Sequence, residues 1–188
     1  MTPEQAKALC IKAHEGRYRR PTTVKVSEDL ANELGIIEIN TIPYEDDEGC
    51  EFYTLPDGSK WLKDYTQSNT IQLYKPYSSH SIAVADLLTT DEEKVLGYLH
   101  DVLEDTNITY NSLYYKGLCN MSDRVRNALK LLTKSSGQNY KTYIFNISQC
   151  KLATKVKLAD IYHNRSCNPS EHAKKKYLKA IPILLNAL

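Results

Sequence analysis

The sequence is poor in large apolar anchors: two phenylalanines, two methionines and one tryptophan stand among 188 residues. Fourteen tyrosines take their place, which predicts cores and surfaces built from rings that keep one polar end. No apolar run approaches the roughly 20 residues of a membrane-spanning helix, and the opening Met1-Thr2-Pro3-Glu4-Gln5 is polar. Neither a secretion signal nor a membrane anchor is expected. No C-x-x-C pair occurs, and Cys10, Cys50, Cys119, Cys150 and Cys167 are odd in number and far apart. They read as reduced thiols of a cytoplasmic protein, mostly filling core space. A dominant charge is missing too: 24 Lys+Arg against 23 Asp+Glu leaves +1. No global field marks a nucleic-acid or membrane partner. The length is that of about one domain, and 25% charged with 41% apolar residues is a globular balance.

What is present is unevenly placed. Residues 28–64 hold 11 acidic and 2 basic side chains, a net of −9, and residues 124–179 hold 13 basic and 2 acidic, a net of +11. Such a split is either an internal match of two faces or a basic cleft for a phosphorylated ligand. Thr2, Pro3 and Gln5 spell a capped helix start, and Ala6, Leu9, Cys10 and Ala13 recur at helical spacing towards Gly16. Residues 21–74 differ in texture. Thr22 to Val26 alternates like a strand, Ser27 to Leu34 reads as a short helix, and Ile36 to Ile42 is β-branched. Residues 45–48 are acidic, and Pro56-Asp57-Gly58-Ser59 marks a hairpin turn between residues 52–55 and 61–62.

From His80 onward the pattern is helical. One short helix carries Ile82, Ala83, Ala85 and Leu87. A second, opened by a Thr90/Glu93 capping box, carries Val95, Leu96, Leu99, Val102 and Leu103. Ser122 caps the next, with Val125, Ala128, Leu129 and Leu132 inside. Another runs through Leu152, Val156, Ala159 and His163. The last begins near Ser170, and its stripe of Ile181, Leu184, Leu185 and Leu188 passes a kink at Pro182. The expected architecture is mainly α, a helical bundle with one small β-rich excursion.

Three segments carry ligand-type residues that apolar helices do not need: His80, the run His100-Asp101 followed by Glu104-Asp105, and Asp160. Helical spacing stacks His100 on Glu104, Asp101 on Asp105 and Asp160 on Asn164. Two imidazoles and two carboxylates suit Mn²⁺, Fe²⁺ or Zn²⁺ better than Ca²⁺ or Mg²⁺. Such an ion lowers the pKa of a bound water, and the Glu104-Asp105 pair, one turn on, is placed to move its protons. His172 reads as a surface residue, and Lys174-Lys175-Lys176 as a solvated helix face.

Four segments then resemble one family, the HD-domain phosphohydrolases of the RelA/SpoT type and their small stand-alone relatives. The family runs A-H-x-x-Q-x-R-K, P-Y-x-x-H-P-x-x-V-A, H-D-x-x-E-D-T and K-L-A-D-x-x-H/Y-N. Here the first reads Ala13-His14-Glu15-Gly16-Arg17-Tyr18-Arg19-Arg20, and the second Pro76-Tyr77-Ser78-Ser79-His80-Ser81-Ile82-Ala83-Val84-Ala85. The third is His100-Asp101-Val102-Leu103-Glu104-Asp105-Thr106, and the fourth runs from Lys157 to Asn164. Arg17 stands for the usual Gln and Ser81 for Pro. After Asn164 the chain is one residue short of N-x-R-T, with Ser166 in the place of the threonine.

The resemblance implies a single HD helical bundle over 1–188, with 21–74 an insertion able to cover the pocket. It implies hydrolysis of the 3′-diphosphate of (p)ppGpp-like alarmones with one Mn²⁺ per chain. His80, His100, Asp101 and Asp160 would be the metal ligands and Glu104 and Asp105 the catalytic pair. Arg19 and Arg20 would hold the base, and Asn164 and Ser166 the ribose and phosphates. The partner would be a small nucleotide, with no nucleic acid, no membrane and no oligomer indicated. Two other readings stand beside it: the same chemistry on another phosphorylated nucleotide, such as NADPH or a nucleotide signal, and an inactive nucleotide-binding module.

Overall fold

The computed structural model describes residues 1–19, 22–25, 53–54, 57–63 and 70–188. The expected helix at 27–34, the β-branched stretch 36–42, the acidic 45–48, Cys50 and Arg20 lie outside them. The described chain is mainly helical and divides into two compact units, Gly16–Tyr77 and a unit made of Met1–Glu15 with Ser78–Leu188.

The smaller unit holds a four-stranded antiparallel sheet of β1 (Thr22–Lys25), β2 (Tyr53–Thr54), β3 (Lys60–Lys63) and β4 (Thr70–Tyr74), in the order β1-β4-β3-β2. Strand alternation at residue 22 and the hairpin around Gly58 are both found. Tyr53 pairs with Trp61 and Thr54 with Lys60. Asp57 closes the turn by accepting from the Ser59 amide at 2.8 Å and the Ser59 hydroxyl at 2.9 Å. Gly58 sits at φ +80°, where a side chain is strained.

The larger unit is built from α1 (Pro3–Ala13), α2 (Ser78–Asp86), α3 (Asp91–Leu99), α4 (Val102–Asp105) and α5 (Tyr110–Tyr115). It continues with α6 (Asp123–Leu132), α7 (Tyr140–Ser148), α8 (Lys151–Ser166) and α9 (Glu171–Leu185). The predicted caps are present: Thr2 with Gln5, Thr90 with Glu93, Ser122 before α6 and Ser170 before α9. Val84, Val95, Leu96, Leu99, Leu129 and Leu184 are among the fully buried side chains of one core. Two polar side chains inside it bond to backbone carbonyls. Thr154 donates to the Ile147 carbonyl at 3.0 Å, and the Tyr143 hydroxyl to the Leu132 carbonyl at 2.6 Å.

Several expectations change. The helix expected to run from Thr90 past Leu103 breaks at His100-Asp101. His100 turns its Nδ1 onto the Gly97 carbonyl at 2.8 Å, Asp101 takes φ −98° and ψ −10°, and a fresh turn starts at Val102. Leu185 and Leu188, expected in the stripe of the last helix, are exposed, and so is Leu87. With exposed Tyr162 they line a groove of about 550 Å³ whose other walls include Leu158 and Ile181. Helix α9 continues through Pro182 to Leu185. Helices α5 and α7 have no counterpart in the sequence reading, because their polar and aromatic residues blur the apolar period. Of the described cysteines only Cys10 is in the core. Cys150 is half-buried, and Cys119 and Cys167 are exposed. Among the described residues no helix is long and apolar enough to cross a membrane.

One buried charge anchors this unit. Glu93 is 4% exposed, and its carboxylate accepts from the Thr89 and Thr90 amides at 3.1 Å and from Lys155 Nζ at 2.6 Å. Burial alone would push its pKa up, but these donors outweigh burial and hold it at about 2, against an ordinary 4.5. The folded value lies below the unfolded one, so the stabilisation is complete above about pH 4.5 and is lost as the pH falls towards 2. Glu93→Gln is expected to cost about 2 kcal/mol at pH 7 and to flatten the acid limb of the stability curve. Denaturant titrations at pH 3 and 7 check this: an equal acid loss in both proteins would count against the assignment.

Candidate metal centre

Four predicted ligands meet in the helical unit. Helix α2 supplies His80 in its first turn, the break after α3 supplies His100 and Asp101, and the middle of α8 supplies Asp160. His80 Nε2 lies 3.1 Å from Asp160 Oδ1 and 3.5 Å from Asp101 Oδ2. His100 Nε2 lies 3.2 Å from Asp101 Oδ2 and 3.8 Å from Asp160 Oδ1. The two rings stand edge to face with centroids 5.2 Å apart. His80, His100 and Asp101 form a group whose ligand atoms lie within 4.8 Å of one another and can hold a metal ion.

The donor set fits a cation. His100 Nε2 is buried and, despite its 3.2 Å approach to Asp101, makes no aligned hydrogen bond. Ligand atoms that face a common centre rather than each other have this geometry. The electrostatics agree. Burial would lower the His100 pKa, yet the Asp101 and Asp160 charges raise it to about 10. Burial would likewise raise Asp101, and the neighbouring His100 holds it down. The cluster thus favours positive charge at its centre, and mixed imidazole and carboxylate donors suit a first-row divalent ion.

Asp160 is held from its other side. Lys157 Nζ donates to its Oδ2 at 2.7 Å and Asn164 Nδ2 to its Oδ1. Burial acting on Asp160 is overcome by the Lys157 ammonium, which keeps the carboxyl well below the usual range. The predicted stacking of Asp160 over Asn164 is therefore a direct contact. The Asp105 amide donates to the Asp101 carbonyl at 2.9 Å, a backbone bond of the α4 turn. Glu104 stands exposed at the rim, its carboxylate accepting from the Lys134 amide at 2.6 Å. Desolvation by the surrounding protein, with the Asp101 and Asp105 charges, raises its pKa.

The remaining predicted contacts are Ser166, Arg19 and Arg20. Ser166 is exposed and donates to the His163 carbonyl of its own helix at 2.7 Å. Arg19 belongs to the smaller unit, where its amide donates to the Lys75 carbonyl at 3.0 Å. Arg20 lies outside the described residues.

Sequence reasoning missed a basic and aromatic wall beside Asp160. Lys157 Nζ lies 5.2 Å from the Tyr143 ring centroid and Lys176 Nζ 4.4 Å from that of Tyr140. The Tyr140 hydroxyl is buried with no hydrogen-bond partner among the described residues. Burial and the positive charges of Lys157 and Lys134 lower the Lys176 pKa, so three cationic side chains share one region. His163 was missed as well, although three residues on from Asp160 places it on the same helical face. No protein-family model matches the chain, and no curated relative is found.

Proposed function

We propose that the chain is a metal-dependent phosphohydrolase of the HD type that removes the 3′-diphosphate of (p)ppGpp-like alarmones. The observation that carries this reading is the convergence of His80, His100, Asp101 and Asp160 from three separate segments on one buried point. These four residues would hold Mn²⁺, which when bound acidifies water and polarises a phosphoryl oxygen. Hydrolysis breaks the bond between the ribose 3′-oxygen and the diphosphate. Water gives its hydroxyl to phosphorus and a proton to that oxygen, leaving pyrophosphate with GDP or GTP.

The chain's own residues supply the rest. Glu104, with its raised pKa, and Asp105 take the proton from water and deliver one to the leaving oxygen. Lys157, Lys176 and Lys134 oppose the charge of a polyphosphate, and the unpaired Tyr140 hydroxyl is a donor awaiting an acceptor. Asn164 orients Asp160 and, with Ser166, would face ribose and phosphate. Arg19 and Arg20 would stack on the base. Residues 21–74 would be an insertion in the HD bundle, and the enzyme would work in the cytoplasm as a degradative activity.

Purified protein with Mn²⁺ and ppGpp is expected to release one pyrophosphate per GDP, followed by ion chromatography. A preference for NADPH or another nucleotide in the same panel would move the substrate while keeping the chemistry. No turnover of any nucleotide with Mn²⁺, Fe²⁺ or Zn²⁺ would leave a binding module instead.

A further inference from the structure

The two imidazoles of the cluster are supported in different ways. His100 Nδ1 lies 2.8 Å from the Gly97 carbonyl, which can only accept. That partner holds the proton on Nδ1 and leaves Nε2, which faces the carboxylates, as the atom that exchanges its proton for a cation. His80 is supported by a second ring instead. Its Nδ1 lies 2.8 Å from Nδ1 of His163, with ring centroids 4.8 Å apart and planes inclined by 47°.

Two imidazole nitrogens at that distance bond only if one carries a proton and the other a lone pair. With both rings neutral, two arrangements satisfy the rule. In one, His80 keeps its proton on Nδ1 and His163 accepts it, so Nε2 of His80 is free to bind a cation. In the other, His163 donates, His80 Nδ1 accepts, and the His80 proton moves to Nε2. There it would sit 3.1 Å from Asp160 Oδ1 and block the ligand position. His80 is 2% exposed, so water offers its Nδ1 little alternative.

We infer that His163 is a positioning residue of the metal centre: its Nδ1 accepts the Nδ1 proton of His80 and fixes the tautomer whose Nε2 faces Asp101 and Asp160. The inference rests on the metal-centre reading above. It gives α8 two tasks on one face: Asp160 addresses the Nε2 edge of His80, and His163, one turn later, addresses the Nδ1 edge. His163 is not itself a fifth ligand, because its nitrogen approaches the ring edge opposite the carboxylates. Outer partners of this kind tune affinity by about 10–100-fold.

The test uses the full chain and needs no nucleotide. Zn²⁺ affinity is measured by chelator competition for wild type, His163→Phe, which keeps a ring but loses the acceptor, and His163→Gln, which keeps an acceptor. The expected results are a loss of about 10–100-fold for the phenylalanine variant and a change of only a few-fold for glutamine. Nitrogen-15 two-bond correlation spectra of the Zn²⁺-loaded wild type are expected to show His80 bound through Nε2 and protonated at Nδ1. That measurement stands even if His163→Phe does not fold. Wild-type affinity in folded His163→Phe, binding of His80 through Nδ1, or failure of the wild type to bind Zn²⁺ would each overturn the inference. Metal binding with this pattern but no alarmone turnover would overturn the hydrolase reading and leave His163 in its role. Normal turnover with an indifferent His163 would do the reverse.

Discussion

Asp101→Ala is expected to abolish metal-dependent hydrolysis and to weaken Mn²⁺ binding by more than about 100-fold, beyond the loss typical of an outer partner. Asp101 is the carboxylate shared by both imidazoles, 3.2 Å from His100 Nε2 and 3.5 Å from His80 Nε2. Alanine removes a ligand atom and one of the two negative charges that the cluster presents to a cation. Asp101→Asn separates the effects, since the amide keeps the shape and loses the charge. It too is expected to lose activity while keeping the wild-type melting temperature. Calorimetric metal titration and pyrophosphate release check both variants, and robust turnover by Asp101→Ala would remove Asp101 from the ligand set.

Gly97→Ala is expected to destabilise the helical unit by about 2 kcal/mol, a fall of about 4–8 °C in melting temperature for a chain of this size. In an exposed helix the same change would stabilise by about 1 kcal/mol. Here a Cβ at Gly97 would lie 2.8 Å from Ala85 Cα, 3.1 Å from Ala85 Cβ and 3.0 Å from Leu88 Cδ1. The first of these is backbone, which cannot rotate aside, so α2 and α3 must separate. His80 rides on α2 and His100 caps α3, so the same separation is expected to weaken metal binding. A variant more stable than wild type, with unchanged metal affinity, would show that the two helices are not locked at this crossing.

Much of the helical framework was legible because its signals are short-range. Thr2 with Gln5 and Thr90 with Glu93 bond across three residues, so neighbouring side chains decide these helix starts wherever the rest of the chain lies. Ligand types were legible too, since His80, His100, Asp101 and Asp160 have no task on an apolar face. Their convergence was not. Neither was the break at His100-Asp101, which needs an imidazole turned back onto its own helix. Leu87, Leu185 and Leu188 kept the apolar period and still point outward, because period says which residues share a face and not whether anything covers it.

Composition and spacing thus determined the helical class, the caps and the identity of the candidate ligands, all properties of segments a few turns long. Tertiary structure alone decided that Glu93 meets Lys155 across 62 positions and His80 meets His163 across 83. Such contacts form only when packed helices bring distant side chains within 3 Å, and no local periodicity encodes that distance. The support of His80 by a histidine rather than a carbonyl belongs to this second kind.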